Sequence, residues 1–258
     1  MGATNDRRPG VTGGLVDQVD GDSLKHLPRT IAIDGPAGAG KSTVADALAR
    51  QLGYLYFDTG VLYRAVTLAA LRAGIAPDDH EALARLVAAI HIDVEPPRVA
   101  DGRSLTVTLD GEDVTWAIRA PDVERNVSAV SAQPEVRRAL LQRQRAVARR
   151  GGVIMAGRDI GTVVLPDADL KLYLEATPEE RARRRAADER ARGLDRPFAD
   201  VLADIGRRDD IDSHRALSPL RPAEDAVIVD TGGLDIAGVL GVIADLLRDR
   251  ARGIDLKA

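Results

Sequence analysis

A lysine and a hydroxyl at the end of a glycine-rich run mark the first place in this chain where chemistry could occur. Gly35-Pro36-Ala37-Gly38-Ala39-Gly40-Lys41-Ser42 has the spacing G-x-x-x-x-G-K-[ST] and is followed by Thr43. Such a loop wraps successive backbone N–H groups around a phosphate and aims the positive end of the next helix at it. The lysine adds a point charge on the β and γ oxygens, and the serine reaches Mg²⁺. Residues 35–43 are therefore expected to bind a nucleotide polyphosphate, with Lys41 acting on the transferred group and Ser42 as the metal ligand. Of 36 basic side chains only Lys25, Lys41, Lys171 and Lys257 are lysines. A lysine here thus carries more information than any single arginine, and a turn that merely joined a strand to a helix would have no use for it.

Three arginine-bearing segments stand apart by their company. They are Asp58-Thr59-Gly60-Val61-Leu62-Tyr63-Arg64, Gly157-Arg158-Asp159-Ile160-Gly161 and Arg208-Asp209-Asp210-Ile211-Asp212-Ser213-His214-Arg215. A planar guanidinium holds phosphate oxygens through two parallel N–H bonds. Several of them beside Lys41 would seat a phosphate-bearing acceptor against the γ-phosphate and offset the repulsion between the two. An ordinary surface ion pair is the competing reading for any one arginine, and Asp159 could simply pair with its neighbour Arg158. His26, His80, His91 and His214 show no paired spacing and receive no catalytic role.

These residues need a scaffold that brings them together. The apolar run 30–34 precedes the glycine loop, and 42–51 has helical spacing after it. Further short apolar runs at 153–156, 170–174 and 226–230, with another at 54–57, are separated by helical stretches. This is the alternation of a doubly wound parallel α/β sheet. In such a sheet the crevice lies at the carboxyl ends of the strands, so Arg64 and Arg158 would converge on Lys41. Residues 104–109 instead alternate with period two and run into Asp110-Gly111, which predicts a small antiparallel insertion over about 90–118. The mixed charges of 181–196 read most simply as a solvated helix face, with a mobile cover as the alternative. Residues 1–28 lack sustained apolar periodicity and are expected to form a disordered tail.

Composition narrows the function. A chain of 258 residues supports one enzyme-sized domain. With 36 basic and 40 acidic side chains the formal net charge is -4, which argues against binding a nucleic-acid polymer or an anionic membrane. There are no cysteines, so disulfides and thiolate chemistry are excluded and a reducing, cytoplasmic setting is favoured. No apolar run approaches the length of a membrane span. A guanine-binding switch would carry N-K-x-D or T-K-x-D, and neither occurs. A motor ATPase would end an apolar strand in acidic residues, whereas 153–156 runs into Gly157-Arg158-Asp159. Phosphoryl transfer to a small acceptor remains.

From about residue 30 to 247, the glycine loop, Asp58-Thr59-Gly60 with Tyr63-Arg64, Gly157-Arg158-Asp159-Ile160-Gly161-Thr162-Val163-Val164, and Arg215-Ala216 with Ser218-Pro219-Leu220 together resemble bacterial-type cytidylate kinases. The resemblance implies a kinase domain over 29–258, with a core at 29–59, 126–181 and 199–258, a monophosphate-binding insertion at about 60–125 and a lid at about 182–198. It implies ATP with Mg²⁺ as phosphoryl donor, CMP and dCMP as acceptors, and action as a monomer. It places Arg64, Arg158 and Arg215 on the acceptor phosphate, with Arg158 and Arg215 joining Lys41 in catalysis. Arg208 and Asp212 fall near the ribose, and Ser128, Arg137 and Asp159 around the base, with Thr59 and Tyr63 lining the same pocket. A carboxylate such as Asp159 suits the amino donor of cytosine over the carbonyl of uracil. The chain departs from the family pattern at Thr59, where serine is frequent, and at Ala156, where many relatives carry an acid. Two alternatives remain: a kinase for another small acceptor, such as shikimate, dephospho-coenzyme A or a different nucleotide, and a nucleotide-dependent regulatory module.

Overall fold

The apolar runs identified above pair side by side. β1 (Thr30–Asp34), β2 (Leu55–Asp58), β6 (Val153–Ala156), β7 (Leu170–Glu175) and β8 (Val227–Asp230) form one parallel sheet in the order β2-β6-β1-β7-β8. The computed structural model describes residues 27–254 except 96, 150 and 192, so all but the last two residues of the expected tail lie outside the described residues. Successive side chains of a strand face opposite ways, and both faces here are covered. Ile31, Ile33, Ile154 and Leu172 pack with Val44 and Leu48 of α1 (Lys41–Leu52) and Ile243 of α8 (Ile236–Ala251). Ala32 and Met155 face the other side with Phe57, Leu62 and Val66 of α2 (Gly60–Arg72), and Leu140 of α5 (Pro134–Ala148).

The strand order, which the sequence could not provide, puts β1 at the centre. The chain leaves β1 toward β2 at one edge, and its later strands β7 and β8 lie on the other side. That reversal beside β1 opens a crevice at the carboxyl ends of the strands, where β1 delivers the glycine loop, β2 delivers 58–64 and β6 delivers 157–161.

The antiparallel insertion is a three-stranded sheet of β3 (Ile92–Glu95), β4 (Thr106–Leu109) and β5 (Glu112–Asp113). Asp110 (φ 50°) and Gly111 (φ 85°) both take positive φ, the signature of the two-residue hairpin turn that Asp-Gly favours. Its β4 packs against α2, and α3 (His80–Ala89) and α4 (Pro121–Ala132) precede and follow the sheet in the chain.

The charge run 181–196 forms most of α6 (Pro178–Ala191), which packs on α7 (Phe198–His214) through Ala182, Ala186, Val201 and Ile205. The solvated-face reading holds for only one side of this helix. Arg181, Arg184 and Arg185, spaced i, i+3 and i+4 and so on one face, turn inward. Arg181 binds Asp209 (3.0 and 2.6 Å) and the Ala37 carbonyl (3.0 Å), and Arg184 binds Thr231.

Candidate active site

The residues singled out above surround a single cleft of about 890 Å³. Its lining includes Ala37, Gly38, Ala39, Gly40, Lys41, Ser42 and Thr43 of the glycine loop. It also includes Thr59, Tyr63, Arg64, Ser128, Arg137, Arg158, Asp159, Arg208, Asp212 and Arg215. Gly35 and Pro36 are not among the residues lining the cleft. Gly35 (φ +146°) lies so close to β7 that a Cβ would sit 2.1 Å from the Leu174 carbonyl oxygen, so only glycine fits there. Pro36 offers its carbonyl to Lys41 Nζ (2.7 Å).

Gly40 takes a left-handed conformation (φ 84°) and caps α1, whose first residue is Lys41. Glycine takes this conformation without strain, so the helix can start directly after the loop. Burial and the neighbouring Arg158 both push the Lys41 ammonium well below its ordinary pKa. Anionic phosphate beside it would reverse that strain on the charge.

Ser42 Oγ donates to Asp58 Oδ2 (3.1 Å) at the end of β2, and Asp58 stands in register opposite Ala156. The carboxylate beside Ser42 therefore comes from β2, with Ala156 next to it on β6. Among the described residues no three His, Asp or Glu side chains gather to hold a metal. A serine and a single carboxylate fit Mg²⁺, which keeps most of its ligands as water and substrate phosphate.

On the acceptor side the structure corrects one pairing. Arg158 Nε binds Asp212 (2.9 Å), not Asp159. Asp159 forms a short ion pair with Arg137 and lies 3.6 Å from Arg215. Arg137 also covers the Tyr63 ring at 5.3 Å and donates to the Ser131 carbonyl (3.0 Å). Thr59 gives its hydroxyl to the Ala156 carbonyl (3.0 Å), and the extra methyl relative to serine is accommodated at a buried site. Arg215 is held by the carbonyl of Ser218 (2.5 Å), a residue with positive φ (53°), which explains the segment 215–220 as an arginine-holding loop. Burial and the adjacent cations lower the pKa of Arg208, to about 10, and of Arg215. Arg208 Nε and Arg215 Nη2 are buried without a hydrogen-bond partner. Buried donors among crowded like charges are what an anion would satisfy.

The arginine-bearing turn is anchored by the residue that closes the first strand. Asp34, the last residue of β1, is buried and accepts hydrogen bonds from the backbone N–H groups of Ile160 (2.8 Å) and Gly161 (2.7 Å). These begin the π-helical turn Ile160–Val164 that follows Arg158 and Asp159. A polar residue closing an apolar strand was the available signal. Burial outweighs the two donors and raises the Asp34 pKa from 3.8 to about 6. Asp34→Asn keeps the shape of the side chain and removes the ionisable group, so urea unfolding across pH reads what its charge contributes. Because the folded pKa lies above the unfolded one, the group's contribution is full below pH 3.8 and lost as pH rises through about 6. The variant should therefore lose that part of the pH dependence, and an unchanged stability profile across this window would refute the assignment.

Comparison with known proteins fits this geometry. The profile of the family described as cytidylate kinase matches residues 31–249. The chain is 54% identical over 218 residues to the cytidylate kinase of Chloroflexus aggregans, an alignment covering 84% of this chain and 93% of that protein. It is 50% identical over 224 residues to that of Herpetosiphon aurantiacus, covering 84% and 96%. The figure is again 50%, over 220 residues, for that of Desulfitobacterium hafniense, covering 85% and 93%. With a phosphate loop facing an arginine-lined pocket and relatives this similar over nearly their whole length, the chain belongs to the cytidylate kinase family.

Proposed function

We propose that this enzyme transfers the γ-phosphoryl group of ATP to a nonbridging phosphate oxygen of CMP or dCMP. The bond from the γ-phosphorus to the β,γ-bridging oxygen breaks as the new P–O bond forms, yielding ADP and the cytidine diphosphate. The observation that carries this reading is the single cleft lined both by the Lys41 loop and by Arg64, Arg158, Arg208 and Arg215. A phosphate monoester has a second pKa of about 6 and is largely dianionic at neutral pH, so it needs no general base. The residues supply positioning and charge instead.

On this reading Lys41 and the backbone of 37–43 hold the donor phosphates, and the nucleoside lies along Arg184, Leu234 and Ile236. Arg64, Arg158 and Arg215 grip the acceptor phosphate, Arg208 and Asp212 lie near the ribose, and Ser128, Arg137 and Asp159 read the base. Thr59 and Tyr63 complete the wall. Ser42 and Asp58 would hold Mg²⁺, which when bound offsets polyphosphate charge. The cysteine-free composition agrees with a cytoplasmic enzyme.

The test is ADP formation with ATP and each nucleoside monophosphate in turn. CMP and dCMP should exceed UMP, AMP and GMP by about tenfold or more. ATP consumption indifferent to added CMP would favour a regulatory module and overturn the proposal.

A further inference from the structure

Glu124 has no part in the roles above, yet it is the point where the acceptor side and the lid meet. It stands on α4, and its carboxylate receives arginines from three other elements. Arg64 of α2 forms a short ion pair with Oε2, while Arg208 of α7 and Arg185 of α6 each reach Oε1 at 3.0 Å. All four side chains line the cleft. Arg64 and Arg158 are like-charged neighbours of Arg208, so these arginines repel one another unless an anion sits among them. Burial would raise the pKa of Glu124, but the three guanidinium groups more than reverse this and hold it well below 4.5. It therefore stays ionised at neutral pH.

Arg185 has a second carboxylate within reach, Glu189 of its own helix (2.9 Å). Without Glu124 the lid arginine would fall back on its own helix and lose its link to the acceptor side.

We infer that Glu124 is a positioning residue: it holds Arg64 and Arg208 at a spacing that suits a phosphate monoester and ties the lid, through Arg185, to that clamp. This rests on the proposed phosphate acceptor and adds a residue that the family motifs do not include. A carboxylate that only completed the surface charge pattern would have no need of partners on three separate elements.

The test uses the full chain and Glu124→Gln, which keeps shape and removes charge, with Glu124→Asp as the conservative variant and Arg185→Gln as the partner. Glu124→Gln is expected to raise KM for CMP about tenfold, with KM for ATP within about twofold and kcat lowered only a few-fold. Glu124→Asp should recover much of the loss. The double variant Glu124→Gln/Arg185→Gln should be little worse than Glu124→Gln alone, because both changes break one link. An unchanged or lower KM for CMP, equal rises in both KM values, or independent multiplication of the two single effects would overturn the inference. Should Glu124→Gln fail to fold, Arg185→Gln carries the test: a severalfold rise in KM for CMP alone supports the link, and a rise for ATP alone refutes it. Wild-type turnover of CMP in the same assay separates the two questions, since its absence refutes the proposed function and its presence leaves Glu124 to be judged by the variants.

Discussion

Lys41→Ala is expected to lower kcat for phosphoryl transfer by about 10²–10³-fold or more while leaving the protein folded. Its ammonium is buried, and its hydrogen bond is to the Pro36 carbonyl in its own loop. Burial and the nearby Arg158 oppose its charge in the unliganded enzyme. Removing it therefore relieves an unfavourable buried cation even as it removes the group that meets the γ-phosphate. Thermal denaturation without nucleotide should show a melting temperature equal to or above that of the unaltered protein, while the stabilisation conferred by added ATP should shrink. A variant that turns over at the original rate would contradict the role of Lys41. One that unfolds would show that the lysine had been structural.

Asp159→Asn is expected to reduce the preference for CMP over UMP by about tenfold or more, through a lower kcat/KM for CMP and a smaller loss, or a gain, for UMP. Cytosine offers an amino donor where uracil offers an acceptor, and an asparagine can present either an acceptor or a donor. Asp159 is also the counter-charge of Arg137 and lies near Arg215, so the substitution should weaken both reactions by loosening those arginines. The ratio of the two kcat/KM values cancels that shared loss. A ratio that does not move would place base discrimination elsewhere, with Ser128 and Arg137 the remaining candidates in the same part of the cleft.

What was legible in the chain divides along physical lines. The glycine loop, the five apolar runs and the Asp110-Gly111 hairpin depend on short-range patterns of spacing, period and positive φ, and all are found where those patterns fall. The strand order depends on which runs pair across many intervening residues, and no local pattern encodes that. The same limit hid Glu124, which lies on a helix with no motif around it and becomes informative only once α2, α6 and α7 deliver arginines to it. The inward face of α6 was hidden for another reason. Arginine is so common in this chain that its i, i+3, i+4 spacing at 181, 184 and 185 could not be told from an exposed stripe. Arg158 and Asp159, adjacent in sequence, face different partners because the turn after β6 sends their side chains apart.

The anchoring of Arg181 has a mechanical corollary. It clamps the first turn of α6 to Asp209 and to the Ala37 carbonyl, creating a fulcrum beside the glycine loop. Arg184 and Arg185 follow three and four residues later, about 4.5–6 Å along the axis at 1.5 Å per residue. With so short a lever arm, any rocking of this helix carries both guanidinium groups through only a small arc, and carries them together. On the proposed function, such a movement would couple the part of the cleft beside Thr231 to the part beside Glu124.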